Sequence, residues 1–299
     1  MDSLQRRIGH VTARALRDGA LVSIPTRTVV VEDVGVDFAV HVSDLQESKA
    51  LAKELQRAND SNPFLPPDPD LFITDLPPRH AAVLNKFNVL DHHLLVVTRS
   101  FEPQEDLLNR GDFAALGRCM NEIDGLGFYN GGTVAGASQP HKHLQLAPLP
   151  IGSGRHPTPL DAIIDRRSAD PGPTTIPGLP FTHAVVHLDG RPISEDRADE
   201  LVACYRSVCA AVGVHDTTTP YNMLLTRRWM LVAPRAGEHW RRISINSLGF
   251  AGSLLVRNTA ELDELRRAGP MAVLRSVVEP HASTTARLRC HDAPGEEAP

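Results

Sequence analysis

The chain has 299 residues, a formal net charge of −5 and 41% hydrophobic residues. That is apolar material for one or two cores, and it excludes a disordered chain, a collagen-like repeat and a disulfide-framed miniprotein. The acidic balance offers no footprint for nucleic acid, no run of 18 apolar residues suggests a membrane span, and Cys119, Cys204, Cys209 and Cys290 form no CxxC pair.

Leu4, Ile8, Val11 and Ala15 recur at helical spacing, so the chain opens on a helix. His10, Arg14, Arg17 and Asp18 break up any secretory core, which leaves a reducing cytoplasm as the expected compartment. Val22 to Ser43 reads as strands, with Phe38, Val40 and Val42 alternating with Ala39, His41 and Ser43. Glu47 to Arg57 reads as helix. Pro63, Pro66, Pro67 and Pro69 then stop regular structure and mark an ordered, extended loop. Strand pattern resumes at Leu71-Phe72-Ile73, and again at Phe87–Val89 and Leu94–Val97, with Asp91, His92 and His93 as a turn between the last two.

Asp112 is placed to cap a helix carrying Phe113, Leu116, Met120 and Ile123 on one face. A glycine-rich turn from Gly127 to Gly132, with Gly136 beyond it, leads into a strand from His141 to Leu146. Residues 151–180 form an excursion rich in Gly, Pro and Arg. In the strand after it, His183 and His187 are expected on a solvated face. Ser194 opens a helix through Leu201, Tyr205, Val208 and Val212. Tyr221–Leu225 and Trp229–Val232 flank a tight turn and predict a hairpin. Asn258 with Glu261 is a capping box for a last helical region, and 291–299 forms a frayed acidic tail. Strands and helices do not alternate, and neither GxGxxG nor GxxxxGK[ST] is present. The expectation is an α+β protein with an antiparallel sheet core and flanking helices, rather than a doubly wound nucleotide fold.

The chemically informative segment is Ser138-Gln139-Pro140-His141-Lys142-His143-Leu144-Gln145-Leu146. On a strand, His141, His143 and Gln145 share one face, while Lys142, Leu144 and Leu146 share the other. Two imidazoles and an amide on an open face suit nucleophilic chemistry at phosphorus. A neutral imidazole attacks, its neighbour fixes tautomer and rotamer, and an amide that cannot titrate donates to a non-bridging oxygen. Bare backbone N–H groups in the preceding glycine turn suit phosphate oxygens. The rival reading of HxH is a metal-ligand pair. It lacks an acidic ligand three or four residues on, where Leu146 and Ala147 stand, so no tightly bound metal is expected.

Phe128-Tyr129-Asn130-Gly131-Gly132 with Gly136 through Gln145 resembles the diadenosine tetraphosphate (Ap4A) phosphorylase, or ATP adenylyltransferase, family of the histidine-triad/galactose-1-phosphate uridylyltransferase superfamily. Asn62–Pro67, Asn85-Lys86-Phe87, Leu94–Thr98, Tyr221–Thr226, Val232–Arg235 and Asn246–Gly252 follow the same family order. The resemblance implies a HIT-like fold in one α+β domain. Residues 1–60 would supply the N-terminal helix and strands, 61–150 the core with the HxHxQ strand, 151–190 the excursion, and 191–290 the part completing the nucleotide site. It also implies phosphorolysis of Ap4A to ATP and ADP through an adenylyl group on His143, reversible as ATP adenylyltransferase.

In that scheme His141 orients His143, and Gln145 meets the α-phosphate. Asn130 and Gly136, Ala137, Ser138 and Gln139 surround the nucleotide and its phosphates, Asn85 and Lys86 contact ribose or phosphate, and Asn222, Thr226 and Arg235 complete the second nucleotide's binding. A divalent cation such as Mg²⁺ would ride on the polyphosphate, and the partners are small nucleotides and phosphate. Alternatives are a hydrolase of dinucleoside polyphosphates, with water as acceptor, and a non-catalytic nucleotide-polyphosphate sensor. The choice among phosphate, sulfate and water as acceptor, and between Lys49 and Lys53 as a phosphate contact, stays open.

Overall fold

Residues 3–43, 62–152, 154–164 and 172–279 are described by the computed structural model. The expected helix at 47–57, Lys49, Lys53, Cys290 and the C-terminal tail lie outside the described residues. Helix α1 (Leu4–Asp18) starts at the Ser3 cap and ends at Gly19, in the left-handed region at φ 77°. It is followed by β1 (Arg27–Asp33), β2 (Val36–Val42), β3 (Phe72–Leu76), β4 (His80–Leu84) and β5 (Leu94–Thr98). Helix α2 (Arg110–Glu122), β6 (Gly125–Gly131), β7 (His143–Pro148), the short α3 (Asp161–Ile164) and β8 (Ala184–His187) come next. The chain continues through α4 (Ala198–Ala211), the hairpin β9 (Tyr221–Leu225) and β10 (Trp229–Pro234), and β11 (His239–Trp240) with β12 (Ile243–Ser244). It closes with α5 (Ser247–Phe250), β13 (Ser253–Val256), α6 (Thr259–Ala268) and α7 (Pro270–Val278).

Eight strands form one sheet in the order β3-β4-β5-β7-β6-β9-β10-β8, and every neighbouring pair is antiparallel. A second sheet, β1-β2-β13, joins an antiparallel hairpin to one parallel strand. Period two decides what each face of the large sheet meets. Leu94, Val96, Leu144, Leu146, Met223 and Met230 point to the layer of α1, α2 and α4, and form one core with Phe113, Leu116, Leu201 and Tyr205. Their opposite-face neighbours separate into two groups. Phe128, Leu224, Leu231 and Ala147 pack beneath the small sheet, α6 and α7. Ala81, Val83, Leu95 and Val97 pack beneath Phe64 of the proline-rich loop. Between these two covers lies the stretch of sheet that carries His143 and Gln145.

Several local expectations are corrected. Strand β4 supplies the pairing between β3 and β5, whereas Phe87–Val89 is loop. There Asn85 and Asn88 side chains bond neighbouring backbone groups and replace a ladder. The α2 cap is Asn109, whose Oδ1 accepts from Gly111 and Asp112; Asp112 is the returning carboxylate of the box, accepting from Asn109 N–H at 2.8 Å. Gly127 to Gly131 is strand, and the turn is confined to Gly132–Gly136 around a single 3₁₀ turn at Thr133–Ala135. His183 is buried rather than solvated. Its Nε2 accepts from Ile176 N–H and its Nδ1–H donates to Phe181 O, both at 2.8 Å, so it fastens the excursion to the core.

Candidate active site

Strand β7 holds the centre of the site through its two faces. Lys142, just before it, is 1% exposed and reaches the helix-side layer, where Nζ lies 2.7 Å from Asp112 Oδ2 and donates to Leu107 O. Asp112 Oδ1 in turn accepts from His80 Nε2 at 2.9 Å. Burial pushes the Asp112 carboxyl up, but the His80 hydrogen bond and the Lys142 charge overcome it and hold the group below its ordinary value.

The other face carries His141, His143 and Gln145. His143 Nδ1 lies 2.8 Å from His141 O. A carbonyl only accepts, so Nδ1 carries the proton and Nε2 keeps its lone pair. Among the described residues nothing hydrogen-bonds to Nε2. Burial drives the His143 pKa down to about 4, opposed by the His141 carbonyl and assisted by the His141 ring, so the imidazole is neutral near pH 7. His141 is held by the same logic. Its Nε2–H donates to Thr98 O at 2.9 Å, and its Nδ1 accepts from Asn62 Nδ2 at 2.9 Å. Phe64 packs its ring 5.3 Å from that of His143 and 5.5 Å from that of His141.

Register in front of His143 is kept by a residue that the sequence does not single out. The β6–β7 ladder runs from Gly125↔Pro148 to Phe128↔Gln145 and stops. At the next step Gln104, fully buried, stands between the strands. Its Oε1 accepts from His143 N–H at 2.8 Å, and its Nε2 donates to Asn130 O at 2.9 Å and to His143 O at 3.2 Å. The side-chain amide takes the place of a peptide group, so β7 stays fixed where it parts from β6. Nothing in the sequence around Gln104 signals this, because its partners are distant in the chain.

Beside β7 opens a cavity of about 430 Å³. Gln145, Asn85, Asn130, Gly136 and Ser138 are among the residues that line it. Asn130 Oδ1 is occupied by three donors, Asn222 Nδ2 and the N–H and Oγ of Ser247. Its Nδ2 is left without a partner among the described residues, so the amide presents a donor. Gly136 stands at φ 90°, and a Cβ there would come within 2.8 Å of Ile245 O and Asn246 Cβ. Only glycine permits the turn to approach the 245–246 backbone this closely. His41, Ser253, His239, Arg242 and Arg257 also line the cavity.

The other expected contacts fall into two sets. Ala137 and Gln139 are buried just after the turn, and Lys86 lies beside the cavity residue Asn85, with Nζ 5.5 Å from the Phe87 ring centre. Asn222 and Arg235 sit behind the cavity wall. Arg235 Nη1 donates to Asn222 Oδ1 and to Ala135 O, and the guanidinium also takes the carbonyls of Val277 and Gly237. Burial lowers its pKa to about 10, which leaves it charged near neutral pH. Thr226 is in the β9–β10 turn, where Oγ1 accepts from the Arg228 and Trp229 N–H groups. The turn itself consumes its hydroxyl, and the residue does not line the cavity. His93, expected as part of a turn, lines the cavity instead. The signal was present: one step before β5, it shares a sheet face with Leu95, the register partner of Gln145.

A large antiparallel sheet covered wholly on one face and in two parts on the other, with a neutral imidazole and a cavity lined by Gln145, Asn85 and Asn130 on the stretch between, defines an α+β protein with a site for a small polar ligand. The family model for the Ap4A phosphorylase N-terminal domain matches residues 1–166, and that for the ATP adenylyltransferase C-terminal domain matches residues 177–280. The chain belongs to the Ap4A phosphorylase/ATP adenylyltransferase family. It is 29% identical over 285 residues, 81% of each chain, to diadenosine 5′,5‴-P1,P4-tetraphosphate phosphorylase 2 of Saccharomyces cerevisiae. It is 26% identical over 276 residues to protein APA1 of the same yeast, covering 82% of this chain and 84% of that one. The crystal structure of yeast Ap4A phosphorylase Apa2 in complex with Ap4A superposes with a TM-score of 0.78 at 25% identity, covering 94% of this chain and 98% of that one. The complex of Apa2 with AMP gives 0.78 at 26% identity, covering 95% and 99%.

Proposed function

We propose that this chain is an Ap4A phosphorylase that works through a covalent adenylyl group on His143. The observation that carries the reading is the His143 ring, neutral, with its proton pinned on Nδ1 by the His141 carbonyl and its lone pair left on Nε2. The yeast Ap4A phosphorylase named above, with complexes containing Ap4A and AMP, supports Ap4A as the substrate.

The chemistry then balances in two displacements. Nε2 donates its lone pair to the α-phosphorus of Ap4A, an N–P bond forms, and the P–O bond to the remaining triphosphate breaks. ATP departs with that electron pair. The imidazole becomes cationic while Nδ1–H still donates to His141 O, which stabilises the developing charge. An oxygen of inorganic phosphate next attacks the adenylyl phosphorus, the N–P bond breaks, its electrons return to Nε2, and ADP leaves. In reverse, Nε2 takes the adenylyl group from ADP and releases inorganic phosphate, and ATP then takes it from Nε2 to give Ap4A. Gln145 and Asn130 are placed to donate to phosphoryl oxygens, with Gly136–Gln139 and Asn85-Lys86 around the nucleotide. Asn222 and Arg235 support that wall rather than touch the substrate.

Mg²⁺ enters as part of the polyphosphate substrate. Among the described residues no group of three His, Cys, Asp or Glu side chains is placed to hold a resident metal ion. The partners are small nucleotides and phosphate rather than nucleic acid or membrane. No helix among the described residues is long and apolar enough to cross a membrane. The free thiols of Cys119, Cys204 and Cys209 support a reducing cytoplasm.

Incubation with Ap4A and labelled inorganic phosphate tests the reading. Label appearing in ADP, with ATP formed in equal amount, supports it. Unlabelled AMP as the product would make the enzyme a hydrolase, and the absence of any turnover would make the protein a sensor.

A further inference from the structure

His93 is buried against the cavity and takes no part in the displacement described above. Its surroundings fix its protons. Asn85 Oδ1 accepts from Phe87 N–H at 3.4 Å, so Asn85 presents its Nδ2 to His93 Nδ1, at 3.2 Å. Asn85 N–H also donates to His93 O at 2.9 Å, which ties the two residues together at backbone and side chain. Nδ1 is therefore the acceptor. Burial lowers the His93 pKa to about 4, so the ring is neutral and its proton resides on Nε2. Nε2 is buried, and among the described residues no group completes a well-formed hydrogen bond to it. Phe128 packs 5.6 Å from the ring and limits its rotation. An unpaired buried donor is costly, and its presence at a cavity wall calls for an acceptor.

The nearest chemistry is the Gln145 amide, which lines the same cavity. Gln145 lies close enough for a side-chain hydrogen-bonding interaction, short of a complete bond, that raises the His93 pKa against burial, the sign expected when its oxygen faces the ring N–H. Leu95, two residues after His93, is the β5 partner of Gln145 across the ladder, so both side chains rise from the same face of adjoining strands. An amide side chain has two ends of nearly equal shape and opposite polarity, and only one of them serves an anionic phosphate.

We propose that His93 is the positioning residue for Gln145: with substrate present its Nε2–H takes the Gln145 carbonyl oxygen and turns the NH₂ group toward a non-bridging oxygen of the reacting phosphate. The chain Phe87 N–H, Asn85, His93, Gln145 is then a relay in which each donor fixes the next group's polarity, ending on the substrate. This rests on the adenylyl-His143 reading, and it makes Gln145 a directed donor rather than a freely flipping one.

A double-mutant cycle with His93→Leu, Gln145→Ala and the double variant tests it, with kcat for ATP release from Ap4A and phosphate as readout. Thermal midpoints confirm that each variant is folded, and His93→Asn, which retains an N–H donor, serves as the conservative replacement. The expected result is a loss of about a hundredfold in kcat for Gln145→Ala, the scale of one removed phosphoryl donor. His93→Leu should lose a similar factor with KM little changed, and the double variant should be no slower than Gln145→Ala alone. His93→Asn should recover part of the loss. With the α-phosphate oxygens replaced singly by sulfur, the preference between the two diastereomers should shrink equally in His93→Leu and Gln145→Ala. Multiplicative losses in the double variant, or wild-type turnover in His93→Leu, would overturn the proposal. Failure of the underlying reading is seen separately, as turnover that survives His143→Ala.

Discussion

The two faces of the strand around His143 differ in how their polar groups are used. On the helix side, Lys142, Asp112 and His80 bond one another, and Leu144 and Leu146 fill the spaces beside them. On the other side His141 is bonded at both ring nitrogens, but His143 and Asn130 are held at one end only. His143 is bonded through Nδ1 and bare at Nε2 among the described residues, and Asn130 is bonded through its oxygen with no such partner on its nitrogen. One face thus spends its polar groups on the fold, whereas the other restrains His143 and Asn130 and leaves one end of each open to a ligand. Alternation along a single strand produces both.

Substitutions on each face can break this comparison. The largest effect is expected for His143→Ala, which should reduce kcat by roughly 10⁴-fold or more in a phosphorolysis assay, with a thermal midpoint close to wild type. Lys142→Met should do the reverse. It strands the Asp112 carboxylate with only His80 and the α2 cap as partners, at a cost of about 3–5 kcal/mol in urea denaturation, while kcat in the remaining folded protein changes little.

Acid should sharpen the contrast next. His143 and His93 both have folded pKa values near 4, below the ordinary 6.5. Between those values the unfolded chain binds protons that the folded chain refuses. Stability is therefore complete above about pH 6.5 and falls as pH drops toward 4, by about 3 kcal/mol for each ring. Denaturant midpoints taken across that range should show the decline, and two-bond proton–nitrogen NMR should find His143 unprotonated at Nε2 until near pH 4. A ring titrating near 6.5 would count against the neutral nucleophile. Smallest is the effect of Gln104→Met, which keeps the volume and removes the amide. About 1–3 kcal/mol of stability should be lost, with slower turnover and a KM for Ap4A near wild type, because β7 would no longer be pinned where it leaves β6.

What the sequence disclosed follows from the range of the forces involved. The face assignment of His141, His143 and Gln145 was legible because strand alternation is local, and the β9–β10 hairpin was legible because both of its strands and its turn are contiguous. The sheet order was not legible, since pairings such as β7 with β6 on one side and β5 on the other depend on long-range packing. Phe87–Val89 had strand composition, yet Asn85 and Asn88 offered the backbone nearer partners. Thr226 was grouped with the binding residues by the block around it, but a hydroxyl at that position in a tight turn is taken by the turn's own N–H groups. Gln104, His41 and Ser253 left no local trace, because their roles exist only once distant segments meet.

Mixing the enzyme with Ap4A in the absence of phosphate, quenching, and locating AMP on the digested protein by mass spectrometry tests the central claim most directly. The account predicts AMP on the peptide containing His143, stable in alkali and lost in acid as a nitrogen–phosphorus bond requires, and discharged to ADP when phosphate is added before the quench. AMP on another residue, or rapid turnover with no adenylated protein at any quench time, would contradict it.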